Sequence, residues 1–158
     1  MDCHARLRQL TGLAAELGAP RGATAEAVRE VAAKIHRYLT VSLPLHEEDE
    51  EASLFPRLLR YAPELAPTLA ALRADHQAQA QRVAPLVSLC QRVQHSPEQA
   101  AALAGTLAAA AQALAEAFQT HLVTEERDVF PAVRRVLSDG ARAEIREEMR
   151  ARRSRLPR

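Results

Sequence analysis

The chain has no tryptophan, two tyrosines, three phenylalanines and five glycines among its 158 residues. That poverty starves any β-sheet of the residues it favours. Only Cys3 and Cys90 are present, too few for a disulfide framework, and the opening MDCHARLRQL has no apolar core of a secretion signal, so a reducing cytoplasm is the expected compartment. No apolar run approaches the roughly 20 residues needed to span a bilayer, and a soluble protein with no membrane contact is expected. Neither sign of charge dominates: 21 basic against 20 acidic residues leave a formal net charge of +1. No field draws the whole molecule to nucleic acid, and no nucleic-acid partner is expected.

What is abundant is Ala, Leu, Glu and Arg, with 47% hydrophobic residues overall, enough for a real core in a chain of one-domain length. The composition predicts an all-α protein. Gly and Pro divide it into segments at about His4–Leu17, Thr24–Arg60, a third from the turn at Tyr61–Pro67 to Val93, and a fourth to Leu137. The cluster Gly18-Ala-Pro20-Arg-Gly22 breaks the first segment, and Thr24 is placed to cap the second. Ser96-Pro97-Glu98-Gln99 has the form of a capping box with proline at the first helical position and marks the fourth start most clearly. Four helices joined by short turns predict an antiparallel up-down-up-down four-helix bundle over residues 1–137. Ser138-Asp139-Gly140 then precedes a short charged fifth helix, about Ala141–Arg152, so that 138–158 form a short helix and a basic tail, of which the last residues, Arg152–Arg158, are expected to be solvated. An acidic protein partner for this C-terminal helix is the other reading. Pro44, Pro56, Pro85 and Pro131 each remove a helical hydrogen bond and predict bends.

The chain contains an internal repeat. His46-Glu-Glu-Asp-Glu50-Glu-Ala-Ser-Leu-Phe-Pro56 matches His121-Leu-Val-Thr-Glu125-Glu-Arg-Asp-Val-Phe-Pro131 in register, as H-x-x-x-E-E-x-x-[LV]-F-P. Each copy is preceded by a lone histidine, His4 and His76, 42 and 45 residues upstream of the motif histidine. Residues four apart on a helix differ by about 40° in direction and about 6 Å in rise, so His46 points with Glu50 and His121 with Glu125. These polar groups interrupt apolar stripes: Leu39, Leu43, Leu54 and Leu58 around the first pair, and Leu107, Ala111, Leu114, Phe118, Val129 and Val133 around the second. In the third segment His76 continues Leu69 and Leu72 towards Val83 and Val87. Counting from the turn places the ligands in one layer. Buried unpaired carboxylates cost several kcal/mol each, and cations would compensate them. Four imidazoles and two carboxylates exceed the needs of one tetrahedral zinc and suit a pair of irons. The Glu-x-x-His order of ferritin-like bundles is absent.

These motifs resemble those of hemerythrin-like (HHE cation-binding) domains, and the resemblance runs from about His4 to Leu137. It implies two non-haem iron ions, with His4, His46, His76 and His121 as terminal ligands and Glu50 and Glu125 bridging the pair together with an oxo or hydroxo group. The family's oxygen carriers place two histidines four apart on the third helix, whereas Leu72 and Ala80 flank His76 at that spacing. Glu47 is the nearest candidate for the vacant coordination place, as in a hemerythrin-like iron-sensing domain of a ubiquitin-ligase subunit. The alternative is that Glu47 belongs with Glu48, Asp49 and Glu51 to an acidic run facing solvent. His36 and His95 read as surface residues, and Phe55 and Phe130 as packing near the metals.

Three functions are expected to compete. One is a module that binds, senses or reacts with O2, NO or peroxide, or responds to iron supply. Another is an enzyme turning over hydrogen peroxide or nitric oxide at the same centre. The third is a metal-free or zinc-loaded helical interaction domain.

Overall fold

A computed structural model describes residues 2–19 and 22–155. Pro20 and Arg21 of the expected helix breaker, and Leu156 to Arg158 of the expected tail, lie outside them. Every regular element among the described residues is helical, which bears out the all-α class. In order these are α1 (Asp2–Glu16), α2 (Ala25–Arg37), α3 (Leu43–Asp49), α4 (Phe55–Tyr61), α5 (Ala66–His95), α6 (Ala104–Thr124), α7 (Phe130–Val136) and α8 (Asp139–Ser154). Short π-helical segments join α2 to α3 (Tyr38–Ser42), α3 to α4 (Glu50–Leu54) and α6 to α7 (Glu125–Val129).

All three π segments end two residues before a proline, namely Pro44, Pro56 and Pro131. A proline has no N–H to donate, and its ring collides with the carbonyl four residues back. Widening the preceding turn relieves that collision within a continuous helix. In both copies of the repeat the aromatic before the proline closes the wide turn: the Phe55 N–H donates to the Glu50 carbonyl, and the Phe130 N–H to the Glu125 carbonyl. The same backbone device therefore anchors the carboxylate residue of each motif. Pro85 shows the contrast, lying inside an uninterrupted α5.

The chain forms two compact units, residues 1–42 with 78–119, and residues 43–77 with 120–158. The first is built on α1, α2, the later part of α5 and most of α6, with Leu10, Ala14, Ala32, Ile35, Leu86, Val93, Leu107 and Leu114 among its buried residues. Beyond His76 the buried positions of α5 are Gln79, Leu86, Leu89, Cys90 and Val93, while the expected Val83 and Val87 are only half-buried. Thr24 caps α2 as its position predicts, accepting from the Ala27 N–H at 3.2 Å. The capping box at Ser96 is a correction. Pro97–Gln99 form only a 3₁₀ turn and Ser96 makes no side-chain cap bond. The Ser96 N–H that Gln99 would have capped already donates to the Arg92 carbonyl at 2.9 Å, and Gln99 Oε1 accepts from Arg92 at 3.2 Å instead.

Gly18 does more than end α1. A Cβ there would overlap Ala104 Cα and stand 2.6 Å from Ala104 Cβ, so the chain can pass α6 at this point only without a side chain. Gly18→Ala should destabilise the protein by about 1–3 kcal/mol, the usual cost of overpacking. Gly12→Ala, where an added Cβ meets nothing within 4 Å, should be neutral or mildly stabilising by propensity. Urea unfolding of the two variants checks the difference.

The second unit packs Leu54, Phe55, Leu58, Leu69, Leu72, Val129, Ala132, Leu137 and Ile145 into one cluster, with Met149 against its edge. Pairings across the turn at 62–65 run in reverse order, Glu51 meeting His76 before Leu58 and Leu69 share the core, so the two arms are antiparallel. Helix α8 is capped by Ser138, which accepts from the Ala141 N–H at 3.2 Å. It runs antiparallel to residues 43–61: Arg57 holds Glu148 at 2.7 Å and Glu144 at 3.4 Å, while Arg152 and Arg153 each reach Asp49 at 2.6 Å. The expectation of a solvated basic tail is thereby corrected for Arg152 and Arg153. The reading of the acidic run as a solvated face is corrected for Asp49, which is 2% exposed, while Glu48 does face solvent.

Candidate metal centre

Both repeat copies and His76 fall in the second unit. In the first copy His46, on α3, stands 3.5 Å through Nε2 from Glu50 Oε1 at the start of the π segment. In the second, His121 near the end of α6 stands 3.3 Å through Nε2 from Glu125 Oε1. The third arm, α5, brings His76 Nε2 to 3.4 Å from Glu50 Oε2 and 3.3 Å from His121 Nε2. Ligand atoms of Glu50, His76, His121 and Glu125 all lie within 4.8 Å of one another, and the same limit holds between His46 and Glu125. Five of the side chains named from sequence thus meet in one place.

Their surroundings are dry. Glu125 is 0% and Glu50 2% exposed, and His76 and His121 beside them are buried, with His46 half-buried. Two carboxylates at this depth repel each other and lack water, and neutral imidazoles offset that poorly. Oxygen and nitrogen donors converging at this range match what a first-row divalent or trivalent cation needs. Burial lowers the His76 pKa, with Glu51 pulling the other way through its hydrogen bond and His121 adding to the depression, so its ring favours the neutral, ligating form.

Behind the cluster, the Phe55 ring lies parallel to His76, with centroids 6.0 Å apart and planes 10° from coplanar. That fits the expected packing role of Phe55, while Phe130 is half-buried against the apolar cluster. His76 Nδ1 donates to Glu51 Oε1 at 2.8 Å, and Asp75 stands 3.5 Å from His121 Nδ1.

Glu47 is half-buried and lies outside the group of converging ligand atoms. Burial pushes its carboxyl up to about 7; His121 draws it down and Glu51 raises it further. His4 is buried on α1 of the first unit. His36 bonds Gln91 at 3.1 Å and His95 is exposed, in keeping with surface roles.

Sequence reasoning missed Glu51 and Asp49. The doubled Glu-Glu of each motif was a signal for Glu51, since a second carboxylate recurs at the same place in both copies. For Asp49 the signal lay far away, in the Arg152-Arg153 pair.

An all-α domain with imidazoles and carboxylates buried together on two motif copies and a third arm defines a class, the helical metal-binding domains. The model of the hemerythrin HHE cation binding domain matches residues 1–133, and the chain belongs to that family. No curated protein matches it. Among the described residues no helix is long and apolar enough to cross a membrane.

Proposed function

We propose that this protein holds two non-haem iron ions and uses them to bind, sense or react with O2, NO or peroxide, or to respond to iron supply. One observation carries the reading: Glu50, His76, His121 and Glu125 converge in a dry interior with the half-buried His46 at their edge, where a cation would offset the cost of burying the carboxylates together. Glu50 and Glu125 sit at equivalent places in the two motif copies and are the natural bridges. The three imidazoles are terminal ligands, and Glu47, half-buried beside His46 in the sequence, is the candidate for the coordination place that a second histidine of the third helix would fill. The sequence resemblance adds His4 from α1 to this set. A carboxylate-rich ligand set stabilises the ferric state, which favours sensing or reaction over reversible oxygen carriage. Bound iron would supply an electrophilic centre for a small ligand. The chain's own part is to keep the His76 imidazole unprotonated and to exclude water with Phe55 and the apolar cluster around it.

A reducing cytoplasm suits Cys3 and Cys90, neither of which is in a disulfide. Elemental analysis after anaerobic Fe(II) loading and exposure to air is the test. The expected result is two irons per chain with near-ultraviolet charge-transfer bands. Zinc alone, or no metal at all in a fully helical protein, would overturn the proposal. Steady consumption of hydrogen peroxide that stops on iron removal would make it an enzyme.

A further inference from the structure

Glu51 lies beside the bridging carboxylate residue, yet its side chain points to the far nitrogen of His76. Its Oε1 accepts from His76 Nδ1 at 2.8 Å, and its Oε2 lies 3.5 Å from Arg73 Nε. Arg73 also donates to the Glu51 carbonyl at 3.4 Å. The His76 side chain is 3% exposed, that of Glu51 33% and that of Arg73 44%. A file of three residues therefore leads from solvent to a buried imidazole whose Nε2 faces Glu50 and His121. A carboxylate on Nδ1 fixes the proton there, leaves the Nε2 lone pair free, locks the ring plane and makes the nitrogen a stronger donor.

We propose that Glu51, oriented by Arg73, is the positioning residue of the metal centre, fixing the tautomer and ring orientation of His76 and tuning the electron density it gives to the metal. The inference rests on the metal-binding reading above. Asp75 occupies the corresponding place behind His121, at the longer 3.5 Å, and its influence is correspondingly weaker. The Arg73 guanidinium withdraws charge from Glu51, so the two side chains act on the metal with opposite sign.

That opposition supplies the test. The full-length protein and its Glu51→Ala, Glu51→Gln, Arg73→Ala and Asp75→Asn variants are loaded anaerobically with Fe(II). Affinity against a competing chelator, and the reduction potential, are then measured. Glu51→Ala should weaken iron binding about 10–100-fold. Glu51→Gln keeps an acceptor for the Nδ1 proton without the charge; it should hold iron nearly as well but at a raised potential. Arg73→Ala should lower the potential, and Asp75→Asn should move it in the Glu51→Gln direction by less. A merely structural role would change the melting temperature and leave the potentials together, and that result would overturn the proposal, as would unchanged affinity and potential in an iron-loaded set. Wild-type protein that takes up no iron would sink the metal-binding reading itself and this inference with it. Wild-type protein that loads normally confines any failure to Glu51.

Discussion

Glu125→Gln should make the metal-free protein more stable and the iron-loaded protein less stable. Glu125 is fully buried, 3.3 Å from His121 Nε2 and within 4.8 Å of the Glu50 ligand atoms. Without a cation, two neighbouring carboxylates in a dry site must be desolvated against each other or take up protons. An amide of the same shape carries no charge to desolvate, so the variant should gain about 1–3 kcal/mol in chelator-treated protein. For a chain of this size that is several degrees in melting temperature. With iron present the order reverses. A ligand at 100 times its dissociation constant stabilises the native state by about 2.7 kcal/mol, and a variant lacking one of the candidate ligand carboxylates should forfeit most of that. Calorimetry with and without metal checks both signs, and Glu50→Gln should behave alike. A loss of stability of equal size in both conditions would mean that Glu125 is a structural residue and that no cation belongs beside it.

The reversal expected of Glu125 depends on residues that the sequence exposed well. Of the stripe Leu39, Leu43, His46, Glu50, Leu54, Leu58, all but the half-buried His46 are buried, because helical periodicity reports the core face whatever its chemistry. Repetition then separated candidate ligands from ordinary polar core residues: two copies in register are hard to produce by chance, and each carries its His and Glu four apart. Three kinds of feature stayed hidden. The prolines announced a disturbed helix, but not the wide turn that absorbs Pro44, Pro56 and Pro131 and is missing at Pro85, which side-chain pattern does not record. Ser96 to Gln99 satisfied the capping-box formula locally, yet the preceding helix already held the N–H that the box requires. Glu47 through Glu51 are charged all the way round the helix, so periodicity could not say which of them faced inward. Each answer came from a distant element, Glu51 from α5 and Asp49 from α8.

Asp49→Ala should cost about 3 kcal/mol, near the lower end for breaking a buried ion pair, because one of its partners is half in solvent. Asp49 is 2% exposed and takes Arg152 and Arg153 at 2.6 Å each, with the Arg152 side chain 13% and that of Arg153 49% exposed. Arg152 also bonds Ser53 Oγ and lies 3.5 Å from Glu48. Removing the Asp49 carboxylate strands a largely buried guanidinium, whereas Arg153→Ala removes only a half-exposed partner and should cost under about 1 kcal/mol. The charge pairs between α8 and residues 43–61 run from Glu144 to Arg153, with Ile145 joining the apolar cluster among them. The defect should therefore appear first as lost hydrogen-exchange protection over Asp139–Ser154. Replacing both residues, Asp49→Leu with Arg152→Leu, should recover much of the loss, since the desolvation of both charges disappears together. The match to the family ends at residue 133, so α8 lies beyond it, and its contribution should be separable from metal binding. Asp49 and Glu50 point about 100° apart on one helix, the first to α8 and the second to the cluster. Asp49→Ala should thus melt earlier while still taking up iron in wild-type amount at low temperature. Full stability in that variant would show that α8 is held by its apolar face alone.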